Sequence, residues 1–444
     1  MSKSLDLKKG LNLPIAGVPA PVAIKTVNPD KIAVKPTDFK GLVPRLLVKE
    51  GDAVLAGSPL MADKMTPEIL ITSPVSGTVE SIVRGEKRKL LAVVVKTGDK
   101  QEFVQFGKKA PESNEEAREL LLKTGLWLSI VQRPYGVKAD PAATPKAIFI
   151  SSFSTAPLAA DNDYALEGAQ QDLQAGVNLL AKIAPVHIGV NAKSPDSNQF
   201  KKLVNATLHE VKGKHPAGNV GVQISHISPI MKGETVWTIA PVHLAAIGHV
   251  VNTGKLDLAR KIAVGGPAAP FNGYVTVLPG TPVAEIFPAG EDVRVIGGDV
   301  LTGTTLGADG YLGYFDTQVS VVKEGHEREW FGWAKPFRPK VHSSSWCYFS
   351  WLTPWKEYDM NTNLHGGPRA FVETKCFEDV TPMDIYPIYL IKACLAGDIE
   401  KMEKFGIYEV LPEDLALCDY VDPSKNEIQA IIQKGIDLMI KEMA

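Results

Sequence analysis

The sequence predicts an α/β multidomain protein: a β-rich first unit, an alternating strand–helix unit, a glycine-dense strand unit and a helical tail. Three observations lead there. Short apolar-alternating runs between turn residues fill residues 30–106, strand and helix patterns alternate from Lys146, and the final ~70 residues have helical periodicity. A chain of 444 residues exceeds one small core, and the pattern shifts divide it into 1–108, 109–255, 256–328, 329–370 and 371–444.

In the first unit Arg45 to Val48, Ile69 to Thr72, Gly77 to Val83 and Leu90 to Lys96 read as strands. Glu50-Gly51-Asp52, Gly57-Ser58-Pro59 and Thr97-Gly98-Asp99 supply the turns between them. Ser113 with Glu116 is a capping box, so a helix starts there and stops at Gly125. Ala147 to Ser151 reads as a buried strand, Glu167 to Ile183 as an amphipathic helix and Val186 to Val190 as a strand. A helix near Ser197 to Thr207, a strand at Asn219 to Ile224 and a helix near Val242 to Thr253 continue the pattern, which implies a parallel sheet between helices. Leu256 to Val322 returns to short strands. In the tail, Ser424 with Glu427 opens a helix that puts Ile428, Ile432, Ile436, Met439 and Met443 on one face.

Composition excludes several classes. With 48 basic and 50 acidic residues the chain lacks the basic face a nucleic-acid binder needs. Cys347, Cys376, Cys394 and Cys418 form no C-x2-C pair and stand at no zinc spacing, as expected of buried thiols in a reducing compartment. Lys3, Lys8 and Lys9 without an apolar run give no signal peptide, and Thr235 to Val251, with His243 and His249, is too short to span a bilayer. The glycines at 298, 303, 307 and 310 lie among strands and read as turns, not as a phosphate cradle. His215, His226, His243 and His249 show no metal-ligand spacing, and no nucleophile elbow is present. Five of the seven tryptophans (Trp330, Trp333, Trp346, Trp351 and Trp355) crowd into Trp330 to Tyr358, either as a packed inter-domain seam or as a docking surface.

Two local resemblances bear on chemistry. Val48 to Gly57, Ala62-Asp63-Lys64-Met65 and Ser73 to Ile82 resemble a lipoyl or biotinyl carrier domain, with Lys64 in the place of the modified lysine. Pro74 lies ten positions after Lys64, a longer interval than lipoyl domains use, so the barrel reads as a structural module. A carrier modified at Lys64 is the alternative. Further on, Phe371 to Pro382 and Pro412 to Pro423 have the layout of a two-cluster ferredoxin, C-x2-C-x2-C-x3-C-P. The ligand positions hold Phe371, Thr374, Phe377 and Thr381, then Pro412, Leu415, Cys418 and Asp422. With a single thiolate among them, neither cluster can form.

Over its whole length the chain resembles the A-subunit family of Na+-translocating NADH:quinone oxidoreductases (Na+-NQR). The matching strings, in order, include Lys8 to Gly17, Arg84 to Arg88, Gly125-Leu126-Trp127 with Arg133-Pro134, His215 to Gly218, Gln318 to Val322 and Glu413 to Cys418. More distantly it is similar to the C subunit of the Rnf complex and the flavin-binding subunit of respiratory complex I. The resemblance implies a lipoyl/biotinyl-like barrel-sandwich domain, a Rossmann-like α/β domain, a β-grasp (SLBB-like) domain and a helical domain resembling a degenerate two-cluster ferredoxin. Where the flavin-binding relatives have a glycine-rich loop, this chain has Lys123-Thr124-Gly125-Leu126-Trp127, whose bulk obstructs close backbone approach to a flavin. The implied role is a peripheral, cytoplasmic-face subunit without a redox cofactor or metal, touching the membrane through subunits B to F. Those partners would hold the flavins and iron–sulfur centres and handle NADH. A quinone contact would fall on Trp127 and Tyr135 by stacking and on Arg133 by hydrogen bonding. An independent flavin and iron–sulfur dehydrogenase is the reading these departures oppose.

Overall fold

Residues 31–97 form two small antiparallel sheets. One runs in the order Lys31–Val34, Leu90–Thr97, Gly77–Arg84, Ala53–Val54, the other Pro44–Leu46, Pro59–Asp63, Leu70–Thr72. Ile32, Val79, Val93 and Val95 of the first and Leu60, Met61 and Ile71 of the second share one core. The strands expected here from alternation are all present. This computed structural model describes residues 2–443 apart from 289, 308, 328, 345, 346 and 372–374, and not the side chains of Trp333, Cys347 and Met443. Expectations for Trp346, Thr374 and those three side chains lie outside the described residues.

A seven-stranded sheet follows in the order Ser4–Leu7, Thr207–Gly213, Val186–Asn191, Ile148–Ser151, Val236–Thr238, Val131–Arg133, Val137–Lys138. The first five are parallel and the last two close an antiparallel edge. Helices Gln170–Leu180 and Pro241–Thr253 pack on each other. A six-stranded mixed sheet, Thr304–Leu306, Val293–Gly297, Gln318–Lys323, Arg260–Gly265, Gly273–Val277, Ala23–Thr26, holds its own core of Ile262, Val275, Val295 and Val321. Within the expected unit 1–108, Ser4–Leu7 and Ala23–Thr26 reach out to give parallel edges to the second and third sheets. Each has four residues and little burial, too short a pattern to announce a partner.

Two expectations are corrected. Residues 197–207 hold only a helical turn at Phe200–Lys202, because Asn205 turns left-handed (φ +62°) and the chain then extends into Thr207–Gly213. Val220–Ile227 is a helix, not a strand. Val222 is buried in the tail core and Ile224 against Phe149, so apolar residues on opposite sides mimic strand alternation.

The tail's helices Cys376–Val380, Pro387–Ala396, Ile399–Phe405, Ala416–Val421 and Ile428–Met443 close around Ile391, Met402, Leu415, Ile432 and Ile436. The last helix buries Ile428, Ile432, Ile436 and Met439 as expected. Its cap differs: Asp419 accepts the N–H groups of Ile428 and Gln429, while Ser424 is buried with its own N–H on Asp422. Among the described residues, no helix is long and apolar enough to cross a membrane.

Candidate functional site

Three positions expected to meet quinone lie on two structural devices. Helix Asn114–Thr124 is capped by Ser113, whose Oγ accepts the N–H of Glu116, and stops at Gly125 (φ +76°). A Cβ on Gly125 would lie 2.7 Å from Thr72 Oγ1, so only glycine lets the barrel sit this close. The next turn, Leu126–Ser129, is wholly buried. Within it Trp127 donates from Nε1 to the Ala139 carbonyl (2.9 Å) and meets Trp237 edge-on at 5.3 Å. Trp127 thus anchors the seam between barrel and α/β domain, with no ring face open to a ligand. Packing accounts for its size and place.

Arg133 ends the antiparallel strand next to the sheet's edge, follows with a cis peptide to Pro134, and leads into left-handed Tyr135 and Gly136. Its side chain is 2% exposed. Nη1 donates to Asp414 Oδ2 at 2.8 Å and to the Glu409 carbonyl at 3.5 Å, and Nη2 to Glu413 Oε1 at 2.6 Å. Asp414, 2% exposed, also accepts the Leu411 N–H at 3.0 Å. Burial alone would disfavour the cation, but Asp414 and Glu413 outweigh it and hold the Arg133 pKa above its ordinary value. Gly221 makes room: a Cβ there would lie 2.3 Å from Arg133 Nη1. Arg133 therefore pins the tail's 409–414 segment to the sheet edge. It is a buried clamp, not a donor facing solvent.

Tyr135 is half-buried, and its ring meets Tyr408 at 6.3 Å. Tyr408 donates its hydroxyl to Glu403 Oε1 (2.5 Å), which Lys232 also reaches at 2.7 Å. An open cleft of about 450 Å³ lies there, lined among others by Tyr386, Glu403, Phe405, Tyr408 and Glu409. Burial, then nearby Asp384, pushes the Glu409 carboxyl up to about 7, and burial also raises Tyr135 and Tyr408. Lys232, Lys404, Asp384 and Glu400 complete a largely charged wall, in which the raised Glu409 carboxyl is placed for proton exchange. Tyr408, Glu409 and Glu413 went unread as site residues. The usable signal was Arg133 itself, since a buried guanidinium requires carboxylates.

The ferredoxin-like segments fold back on each other. Thr381 Oγ1 sits 3.7 Å from Cys418 Sγ, both buried, with Leu415 fully buried in the same core. In a two-cluster ferredoxin the fourth ligand of one motif serves the cluster of the other, and Thr381 with Leu415 and Cys418 reproduces that exchange. Asp422 is buried and accepts the N–H groups of Ser424 and Asn426. Phe371 stacks on Phe377 at 6.0 Å. Among the described residues no group of three His, Cys, Asp or Glu could hold a metal ion.

The fold and the clamp define a class: a multidomain α/β protein in which a barrel-sandwich domain, through Lys138 and Asp63, and a helical tail, through Arg133 and Asp414, both pack against the 131–138 side of one α/β sheet. Two family models divide the chain accordingly, the NqrA N-terminal barrel-sandwich hybrid domain at residues 5–98 and the NqrA second alpha/beta domain at 112–256. Curated relatives named as the A subunit of Na(+)-translocating NADH-quinone reductase match along the full length. The protein of Neisseria meningitidis serogroup A is 37% identical, covering 99% of this chain and 100% of its own. Those of Serratia proteamaculans and Haemophilus influenzae (strain PittGG) are 36% and 35% identical over 97% and 99% of this chain, and 98% and 100% of theirs. The chain belongs to the NqrA family, the A subunits of the Na+-translocating NADH-quinone reductases. A solved NAD+-reducing [NiFe]-hydrogenase covers 72% of this chain and 63% of its own at 13% identity, with a TM-score of 0.35, too low to carry an argument.

Proposed function

We propose that the chain is a peripheral subunit on the cytoplasmic face of a Na+-translocating NADH:quinone reductase, assembled with subunits B to F, and that electrons pass through those partners. The packing of Thr381, Leu415 and Cys418 carries this reading, because three of the four positions of one remnant ligand set have become core. Beside Gly125 and Leu126 the free volume is about 30 Å³, room for roughly one water, which argues against a flavin ring there. The visible spectrum of the purified chain tests this. A colourless protein is expected, and a flavin band or broad iron–sulfur absorbance overturns the reading.

The same reading assigns a quinone contact to the cleft beside Tyr135. Tyr135 and Tyr408 offer ring faces and hydroxyls, Arg133 positions the segment carrying Glu409, and Trp127 keeps the sheet edge in place. Protonated Glu409 can pass its proton to a quinone oxygen as electrons arrive from a partner subunit. Calorimetric titration with a short-chain quinone is the check. Affinity should fall in Tyr135→Phe, Tyr408→Phe and Glu409→Gln, and values unchanged in all three remove the cleft from consideration.

One observation favours the carrier alternative. Lys64 is exposed at the tip between strands Pro59–Asp63 and Leu70–Thr72. An intact mass without a lipoyl or biotinyl adduct disposes of it.

A further inference from the structure

We propose that Arg133, His215 and the first turn of helix Val220–Ile227 form an oxyanion site of the α/β domain, which Asp414 of the tail occupies as a built-in plug. The ligand class is a small carboxylate or phosphate group. Residues 214–219 lead from strand Thr207–Gly213 into this helix, so its N-terminus lies at the carboxyl ends of the parallel strands. Sheets of this kind take ligands on that side. No side chain caps the helix: Asn219 stands at the N-cap, but its Nδ2 donates to the Glu413 carbonyl at 3.1 Å. Open N–H groups and the helix dipole favour a negative charge there. Asp414 supplies one. A Cβ on Gly221, the helix's second residue, would lie 2.4 Å from Asp414 Oδ2, so the carboxylate rests on the first turn.

The plug leaves the site incompletely used. Arg133 Nη1 donates to Asp414 Oδ2 at 2.8 Å, while Arg133 Nε, His215 Nε2 and Asp414 Oδ1 are buried without a hydrogen-bond partner. His215 is buried, and its Nδ1 meets Thr155 Oγ1 at 3.2 Å. Burial holds the His215 pKa down, while Asp299 and then Asp414 draw it upward, so the charge of the plug is felt at the ring. A carboxylate tethered through the tail cannot meet all these nitrogens; a free oxyanion can turn to do so.

Other acids nearby do not replace it. Glu413 Oε1 lies 2.6 Å from Arg133 Nη2, but its side chain is half-exposed and its charge is shared with Lys40. Asp299 accepts the N–H groups of Leu301 and Thr302, and Glu409 turns only its carbonyl to Arg133. With Asp414 withdrawn, a buried guanidinium and an open helix end face one half-exposed carboxylate, which leaves an unfilled place for an anion.

This inference stands apart from the reductase assignment and from the quinone cleft. The full chain carrying Asp414→Ala is unfolded in urea with sodium formate, sodium phosphate or sodium chloride at matched ionic strength. Phosphate stabilises folded chains generally by exclusion from their surface, so each gain is read against that of the wild type. Formate, or formate and phosphate both, should raise the variant's midpoint saturably beyond the wild-type gain and recover about half of the loss caused by the substitution, by mass action on the folded state. Formate alone marks a carboxylate site, and both anions a general oxyanion site. A variant that folds only with one of these anions gives the same support. Asp414→Asn, whose side chain still fills the site, should gain no more than the wild type. Glu413→Ala opens the site from its half-exposed rim and serves where Asp414→Ala stays unfolded throughout; formate should stabilise it over chloride. No excess gain in either alanine variant, or an equal gain in Asp414→Asn, overturns the proposal.

Discussion

Arg133 and Asp414 lie 281 positions apart in sequence and 2.8 Å apart in space, in a seam from which water is almost excluded. The pair joins the edge of the α/β sheet to the helical tail. Removing Asp414 leaves the buried Arg133 cation with the half-exposed Glu413 as its one remaining carboxylate, and an under-compensated charge in a low-dielectric site costs more than the pair adds to stability. Asp414→Ala should therefore cost about 3–5 kcal/mol, read as a lower urea midpoint at constant slope. A loss below about 1 kcal/mol would mean that water reaches Arg133.

Gly221 tests the same seam from behind. A methyl there displaces both Arg133 Nη1 and Asp414 Oδ2, which would lie 2.3 and 2.4 Å away. Gly221→Ala should lower stability by about 1–3 kcal/mol through overpacking. Combined with Asp414→Ala the two losses should fall short of their sum, because both break one contact. Full additivity would show that the helix shifts and leaves the pair intact.

Much of this architecture is legible in the sequence where periodicity is local. The barrel strands, helix Gln170–Leu180 and the buried stripe of the last helix follow from alternation and 3.6-residue spacing. What was not legible depends on distant partners. Ser4–Leu7 becomes a strand because Thr207–Gly213 offers it an edge, and Val220–Ile227 is a helix because neighbours bury opposite sides of it. In the site, Arg133 and Tyr135 were visible as candidates. That one is a clamp and the other packs against Tyr408 depends on Glu409, Glu413, Asp414 and Tyr408, and no spacing rule links these to an Arg-Pro step.

Acid should loosen the N-terminal strand. His209 is buried, its Nδ1 accepts the Lys3 N–H at 3.0 Å, and its Nε2 lies 2.9 Å from His187 Nδ1. With a lone pair needed at Nδ1, Nε2 carries the proton and donates to His187. Burial, then His187, hold the His209 pKa down to about 4, against 6.5 unperturbed. Between those values the unfolded chain binds a proton that the folded chain refuses. The stabilisation is thus complete above pH 6.5 and drains away as pH falls towards 4, by about 1–3 kcal/mol after allowance for screening. His243, pushed down to about 3 by burial and by Arg260, adds to that loss. Denaturant midpoints at pH 7.5 and 5 should converge partly in His209→Gln; an unchanged pH dependence would show that His209 is not the group responsible.

The remnant cluster site predicts how the thiols react. Cys418 is fully buried against Thr381, and burial raises its pKa far above a surface thiol's. Cys394, also buried, is pushed up to about 11. The thiolate is the attacking species, so both should resist an aromatic disulfide reagent in the native state, while half-buried Cys376 reacts sooner. Mapping labelled peptides before and after adding urea separates the cases: Cys394 and Cys418 should be modified only after unfolding, at a rate set by the opening of the tail. Rapid native labelling of Cys418 would mean that Thr381 and Leu415 do not seal the old ligand set. The tail would then hold an open pocket where its packing calls for core.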